Sequence, residues 1–532
     1  MHSFTKILAR GLLAAALMGS VSSAALAEMV FNKGNGAEPA TLDPQKMEGV
    51  PEANVAADLF EGLMTYNAKG EPSPGVAESY TVSDDGLTYT FKLRADSQWS
   101  DGTPVTAADF VFGWQRLVDP KTGSAYAYYL DQVVNAKDIR NGAKPVDTIG
   151  AKAVDDHTFE VKLVTPTAYF ISSLVHQSTY AVSKANVAKF GDDYIKAGNL
   201  VSNGAYMLAE AVPQGYIKLV KNPHFHDAAN VKIDTVMIYP TEDIDSELQR
   251  FKAGELDMTY ELPSQQIPSL KKEIGDQVHI SPYLGIYFYA YNLTHEPWKS
   301  SPELREALSL AIDRDSLIKN VTQADQIPAF SFVPPGTLNF PSWEPADAKL
   351  TQAERDAKAK DLFAKAGYGP DKPLKLELTY NTSENHKKVA VFIAAMWKQK
   401  LGVDVSLVNQ EWGTFQNTRN KKEFPDIARH GWIGDYNDAY GFLQLEQGDV
   451  GEQSTSGYAN PKFDDLMTQA AKAVDPKQRG ELMQQAEKVM IADLPVLPLY
   501  FYTTHHAVSP AVKGWVDNVQ DFHLARWLSV ER

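Results

Sequence analysis

The densest cluster of chemically capable side chains is residues 427–438, IARHGWIGDYND. It offers a guanidinium (Arg429), an imidazole (His430), two aromatic rings (Trp432, Tyr436) and two carboxylates (Asp435, Asp438). Such a mixture is hard to place in a core and reads as an exposed loop built for recognition. A carboxylate such as Asp435, set in a cleft that excludes water, is a natural partner for an ammonium group. A guanidinium such as Arg429 can bond both oxygens of a carboxylate through its planar fork. The bland alternatives are a turn or helix-cap aspartate and a solvated surface arginine.

Catalytic spacing is absent. There is no G-x-S-x-G elbow, no phosphate loop and no H-E-x-x-H. Ser316 and Lys319 have S-x-x-K spacing without its partner motifs. His224-Phe-His226 and His505-His506 are pairs that could ligate metal, but neither has a third ligand at sensible spacing, so both read as surface histidines. The chain has no cysteine, which removes disulfides, thiolate metal sites and cysteine nucleophiles. No cofactor or metal is expected. Binding is favoured over catalysis, with an exported peptidase as the distant competitor.

Strands and helices alternate through the chain, with no linker, low-complexity tract or clear repeat, which implies α/β lobes. Strands are expected at 29–33, 88–93 (TYTFKL), 157–163, 374–380, 403–408 and 494–502. Helices are expected at 53–64, 302–321, 352–366, 386–401, 461–474 and 477–492, the third stopped by Gly367. Thr106 is the expected cap of a further helix, with Asp109 in the capping-box position.

Residues 1–27 read as a cleavable export signal: Lys6 and Arg10 without an acid, an apolar stretch over 11–18, and Ala25-Leu26-Ala27 before the cut. The apolar stretch is too short to remain as a membrane span, and no cysteine follows that could carry a lipid. The formal charge is −16, or −18 without Lys6 and Arg10. An acidic, well-mixed surface argues against nucleic acid or anionic lipid as partner. The 9 Trp, 24 Tyr and 23 Phe are plentiful; most are core, and some could line a large, tolerant cavity.

Several segments in order resemble one family. WSDGTPVTAADF with Trp114 is similar to the signature of the large peptide- and nickel-binding class of solute receptors, family 5 of the solute-binding proteins. LDPQKMEGVPEANVAADLFEGL, residues 202–206, YNTSENHKK, LVNQEW and residues 427–438 resemble its periplasmic oligopeptide-binding branch, which feeds ABC importers. The resemblance spans nearly the whole chain after the signal. It implies an α/β fold of the periplasmic binding protein class II type, two lobes with an extra domain, closing by a hinge about two crossing strands. The expected division is domain I at 28–60, 185–284 and 503–532, domain II at 61–184, and domain III at 285–502. It also implies a periplasmic monomer that presents short peptides to membrane permease subunits. Specialisation for murein tripeptide or an opine-like conjugate is the alternative within the fold.

By the same resemblance, Asp435 holds the peptide α-ammonium, and Gly431 and Ile433 lie where the peptide backbone pairs in strand fashion. His386, Arg419 and Arg429 match the positions whose positive charge takes the peptide carboxylate at different ligand lengths. Glu48 and Val50 touch the ligand backbone from the other side. Trp412 and Trp432 resemble walls of side-chain pockets, and Asn381, Tyr126 and Tyr502 border the cavity. Two departures stand out. Thr322 takes the place of an enteric lysine, and Gly285 and Ile433 stand where enteric members carry a cysteine pair.

Overall fold

The structure, a computed structural model, describes residues 28–532; the expected export signal lies outside the described residues. Three larger sheets organise the chain. In the first, Val30–Gly34 runs parallel to Thr235–Tyr239, which continues antiparallel through Tyr216–Lys221 to Tyr206–Val212. The second is wholly antiparallel, in the order Ala77–Val82, Thr88–Leu93, Thr158–Lys162, Ala151–Asp155. The alternation in TYTFKL does what period-two patterning requires: Tyr89, Phe91 and Leu93 are buried on one face. Helix Ala107–Val118 covers that face, and Trp114 meets Phe159 edge-on at 5.1 Å between ring centroids. The helix starts as expected, with the Asp109 carboxylate accepting from the N–H and hydroxyl of Thr106.

The third sheet has six strands, in the order Ile327–Pro328, Val496–Ala507, Val278–Tyr291, Ile427–Ile433, Lys375–Asn381 and Asp404–Gln410. Its two longest members, Val278–Tyr291 and Val496–Ala507, lie antiparallel, with a break in register between Pro282 and Ile286. One half of the pair belongs to the six-stranded sheet. The other half reaches the first sheet through bridges from Val508 to Met258 and from Met258 to Lys33. The boundaries expected at 284/285 and 502/503 therefore fall inside these two strands.

Several elements differ from expectation for identifiable reasons. The helix expected at 53–64 is Val50–Leu59; Pro51 opens it, because the first turn has no use for an N–H, and Met64–Tyr66 is a strand. The helix expected at 302–321 is broken: Pro302–Leu310 ends, and Asp313 caps a new turn through the N–H of Ser316. The strand expected at 494–502 runs on to Ala507. The largest correction is residues 427–438, which are not an exposed loop. Residues 427–433 form an inner strand of the third sheet, with Arg429 and His430 buried. Polar residues are tolerated there because that strand borders a cavity rather than a dry core.

Candidate ligand-binding cleft

A cavity of about 270 Å³ lies where the third sheet faces the helix beginning at Val50 and the residues around Tyr126 and His176. All thirteen residues singled out from the sequence border it. Pairing in the sheet brings Arg429, Gly431 and Ile433 to it, and helix Trp412–Asn420 brings Trp412 and Arg419. The N-terminus of helix Glu384–Leu401 brings His386.

The two acids of the 435–438 segment have opposite surroundings. Asp438 receives a bidentate pair from Arg479, at 2.5 and 2.8 Å, and is a structural ion pair. Asp435 is walled in, and its Oδ2 has no hydrogen-bond partner among the described residues. The nearest basic nitrogen is His176 Nε2, 3.6 Å from Oδ1, too far for a hydrogen bond. The Nδ1 of His176 accepts from the Ser178 N–H, which leaves the ring proton on Nε2, and burial lowers its pKa to about 3. His176 is therefore neutral and does not balance Asp435. Burial pushes the Asp435 carboxyl well above its usual range. A buried carboxylate without a counter-charge is unstable unless the cavity receives a cation.

The guanidinium groups lie on the opposite balance. Arg429 donates to Tyr502 Oη at 2.7 Å and to Asn381 Oδ1 at 3.3 Å, and lies over the Tyr287 ring at 4.8 Å. Its Nε has no partner among the described residues, and none of its contacts is a carboxylate. Arg419 is 3.9 Å from Glu48, a loose pair, since Glu48 accepts instead from Asn420 at 2.7 Å. His386 departs from expectation: burial, reinforced by the charge of Arg429, lowers its pKa far below the usual value. It can donate a hydrogen bond here but carries no positive charge.

Strand Ile427–Ile433 is paired along its length with Val278–Tyr291 on one side. On the other it meets Lys375–Asn381 only at Ile427 and Ala428. Residues 429–433 thus present an edge to the cavity, the geometry in which an extended chain can add as a further strand. Gly431 keeps that edge open: a Cβ there would lie 2.6 Å from Tyr502 Oη and 3.0 Å from an Arg429 nitrogen. Aromatic rings wall the cavity beside the edge. Tyr126 stacks on His176 at 4.5 Å and, more distantly, on Trp432 at 6.4 Å, while the Trp432 indole donates to the Gly441 carbonyl.

Polar contacts bridge the cavity from both sides. Trp412 Nε1 donates to Glu52 at 3.2 Å and Tyr66 Oη to the Asp435 carbonyl at 3.1 Å. Sequence reading missed Glu52, Tyr66, His176, Tyr260, Glu261 and Tyr283, all on the cavity wall or holding it. Glu52 had a usable signal, an acid four residues after Glu48 in the same family-like segment; His176 had none. Thr322 is not on the wall, and its hydroxyl donates to Gln326 Oε1 at 2.9 Å. Gly285 and Ile433 face each other in register, and the Ile433 side chain fills the space a Gly285 Cβ would need. Ser316 donates to its cap, Asp313, and Lys319 points to solvent, so the S-x-x-K spacing is incidental.

Comparison with known proteins agrees with this geometry. Residues 71–453 match the family model described as bacterial extracellular solute-binding proteins, family 5 Middle. The periplasmic oligopeptide-binding protein OppA of Salmonella typhimurium is 43% identical over 528 residues, covering 97% of this chain and 96% of the relative. Haemophilus influenzae OppA in complex with the peptide RPPGFSPFR superposes with a TM-score of 0.92 at 38% identity, over 95% of this chain and all of that one. The murein tripeptide-binding protein MppA in its unliganded open form reaches only 0.67 at 39% identity, over 95% and 98%. At matched identity, that gap is one of lobe arrangement, and this chain has the arrangement of the peptide complex. The protein belongs to the family 5 bacterial extracellular solute-binding proteins.

Proposed function

We propose that this protein is the periplasmic receptor of an oligopeptide ABC importer, which encloses a short peptide between its lobes and hands it to permease subunits. The observation that carries the reading is Asp435, a buried carboxylate with an unpartnered oxygen on a cavity whose guanidinium groups lie elsewhere. A zwitterionic peptide supplies what is missing: its ammonium for Asp435, its carboxylate for Arg429 or Arg419, and its amides for the edge at 429–433. All three features are common to every peptide, so capture is general in sequence, and side chains enter pockets walled by Trp412, Trp432 and Tyr126.

We also propose the division into domains I, II and III at the bounds given above, a monomer, export by the N-terminal signal without a lipid anchor, and binding without hydrolysis. The relatives named above are binding proteins.

The test is calorimetry with one peptide in free and N-acetylated form. Asp435→Ala is expected to weaken the free peptide by roughly 2–5 kcal/mol, about 30-fold to a few thousand-fold, and to leave the acetylated peptide almost unchanged. Equal losses for both would remove Asp435 from its role.

A further inference from the structure

The histidines at 505 and 506 are not surface residues; both are buried where the strand Val496–Ala507 ends. Beside them the C-terminal segment folds back. Asn518 organises that turn, its Oδ1 accepting from the N–H groups of Gln520 and Phe522. The turn presents Asp521 and His523 on one side, two residues apart. The result is a cluster that sequence spacing could not reveal: His506, Asp521 and His523, with their donor atoms all within 4.8 Å of one another.

The cluster is built like a ligand set. His506 Nε2 is 3.0 Å from both oxygens of Asp521, and His523 Nε2 is 3.0 Å from Oδ1. The other nitrogen of His506, Nδ1, is 3.2 Å from the Thr259 carbonyl and donates to it, which fixes the ring with Nε2 aimed at Asp521. A histidine that ligates a metal usually donates its second N–H to such a carbonyl. His523 is held by Trp515, stacked at 3.6 Å between ring centroids and 13° from parallel. Two imidazole nitrogens and a carboxylate thus converge on one point. Without an ion, the Nε2–H groups of both histidines can donate to the Asp521 carboxylate; a divalent ion would displace those protons and bond all three side chains at once. Bonds of about 2.0–2.2 Å in a tetrahedral site set neighbouring donors roughly 3.3–3.6 Å apart, so the observed 3.0 Å contacts must open by about half an ångström, and the two imidazole nitrogens, within 4.8 Å of each other, must settle to the same spacing.

We propose that His506, Asp521 and His523 form a binding site for a zinc-class divalent cation. Two imidazoles and one carboxylate, with no thiolate available, suit Zn²⁺ over the softer monovalent copper or the oxygen-seeking Mg²⁺ and Ca²⁺. His506 and Asp521 border the ligand cavity whereas His523 stands behind them. The fourth coordination position therefore faces the cavity, where water or a donor from the ligand can fill it. The ion ties the end of a lobe-crossing strand to the C-terminal segment.

The experiment uses untagged full-length protein, stripped with chelator and then titrated with ZnCl₂ alone by calorimetry, with metal content measured after dialysis. One equivalent of Zn²⁺ is expected, accompanied by a rise in Tm. His523→Gln is expected to weaken uptake at least tenfold and to abolish the rise, and Asp521→Asn to do the same. His226→Gln, whose imidazole pairs with Glu61 away from the cluster, is expected to change neither. Far-UV circular dichroism of each variant reports that it is folded. No uptake by the parent protein, or uptake unaltered in a folded His523→Gln, overturns the proposal and leaves the cluster an ion pair between histidine and aspartate.

Discussion

Asp435 and Asp438 are three residues apart and chemically alike, and their surroundings assign them different work. Asp438 has its cation built in, since Arg479 meets both of its oxygens. Asp435 has none, and the neutral His176 beside it cannot substitute. The closed, empty cleft therefore carries a desolvated carboxylate, and a ligand ammonium removes that penalty. This gives closure a direct link to occupancy, because a ligand shifts a two-state equilibrium only through differential affinity. The sign of the pH effect follows. The carboxyl pKa is raised in the closed form, so closure binds the proton more tightly, and raising pH above the ordinary carboxylate range disfavours the closed, empty state. Asp435→Asn, which cannot ionise, is expected to move the ligand-free protein toward the closed form at neutral pH. Small-angle scattering would register this as a smaller radius of gyration; an ensemble identical to that of the parent would remove Asp435 from the control of closure.

At the scale of elements, the edge of strand Ile427–Ile433 and the contact between helices Val50–Leu59 and Trp412–Asn420 make the cleft. Gly431→Val would drive a side chain toward Tyr502 and Arg429 and across the edge where a ligand strand would lie. Peptide affinity is expected to fall at least tenfold, while the clash with Tyr502 and Arg429 lowers Tm of the ligand-free protein modestly; far-UV circular dichroism reports that the variant is folded. An unchanged affinity would mean that the ligand does not pair there. Glu52 accepts from Ala40 N–H and Trp412 Nε1, and burial raises its pKa to about 7. Its folded pKa exceeds the unfolded value, so its contribution is full at acid pH and is lost as pH rises from about 4.5 toward 7. With saturating peptide holding the cleft closed, Glu52→Gln is expected to stabilise by on the order of 2 kcal/mol at pH 8 and by little at pH 4, read as the difference in Tm. An equal shift at both pH values would contradict it.

Elements with strong periodicity, such as TYTFKL and the helix after Ser383, were legible in the sequence within a residue or two, because one buried face set their pattern. The strand at 427–433 was not. A strand that borders a wet cavity must carry Arg429 and His430, so its composition imitates a loop. The break after Leu310 was hidden for a different reason: its helix-capping aspartate, Asp313, lies in an otherwise unbroken helical pattern. Of the thirteen cleft residues, Arg429, Trp432 and Asp435 stood out by their own chemistry; the others were legible only through family resemblance. Asp521 and His523 lay beyond it, because nothing in their spacing points to His506.

For the molecule as a whole, the two long antiparallel strands are the mechanical feature that matters. Their register break between Pro282 and Ile286 sits where the first sheet hands over to the third, which makes it the expected hinge. The chain superposes on a peptide complex with a TM-score of 0.92, against 0.67 on an unliganded open relative. The cavity of about 270 Å³ suits a short ligand, and bridging waters would let its pockets accept many side chains. The most direct measurement is mass spectrometry of the small molecules released when the protein, purified from its native compartment, is denatured. The account predicts a mixture of short peptides with free N-termini and varied sequence. A single defined compound, such as a murein fragment or an opine, would contradict general peptide capture and mean that the same cleft has been narrowed to one nutrient.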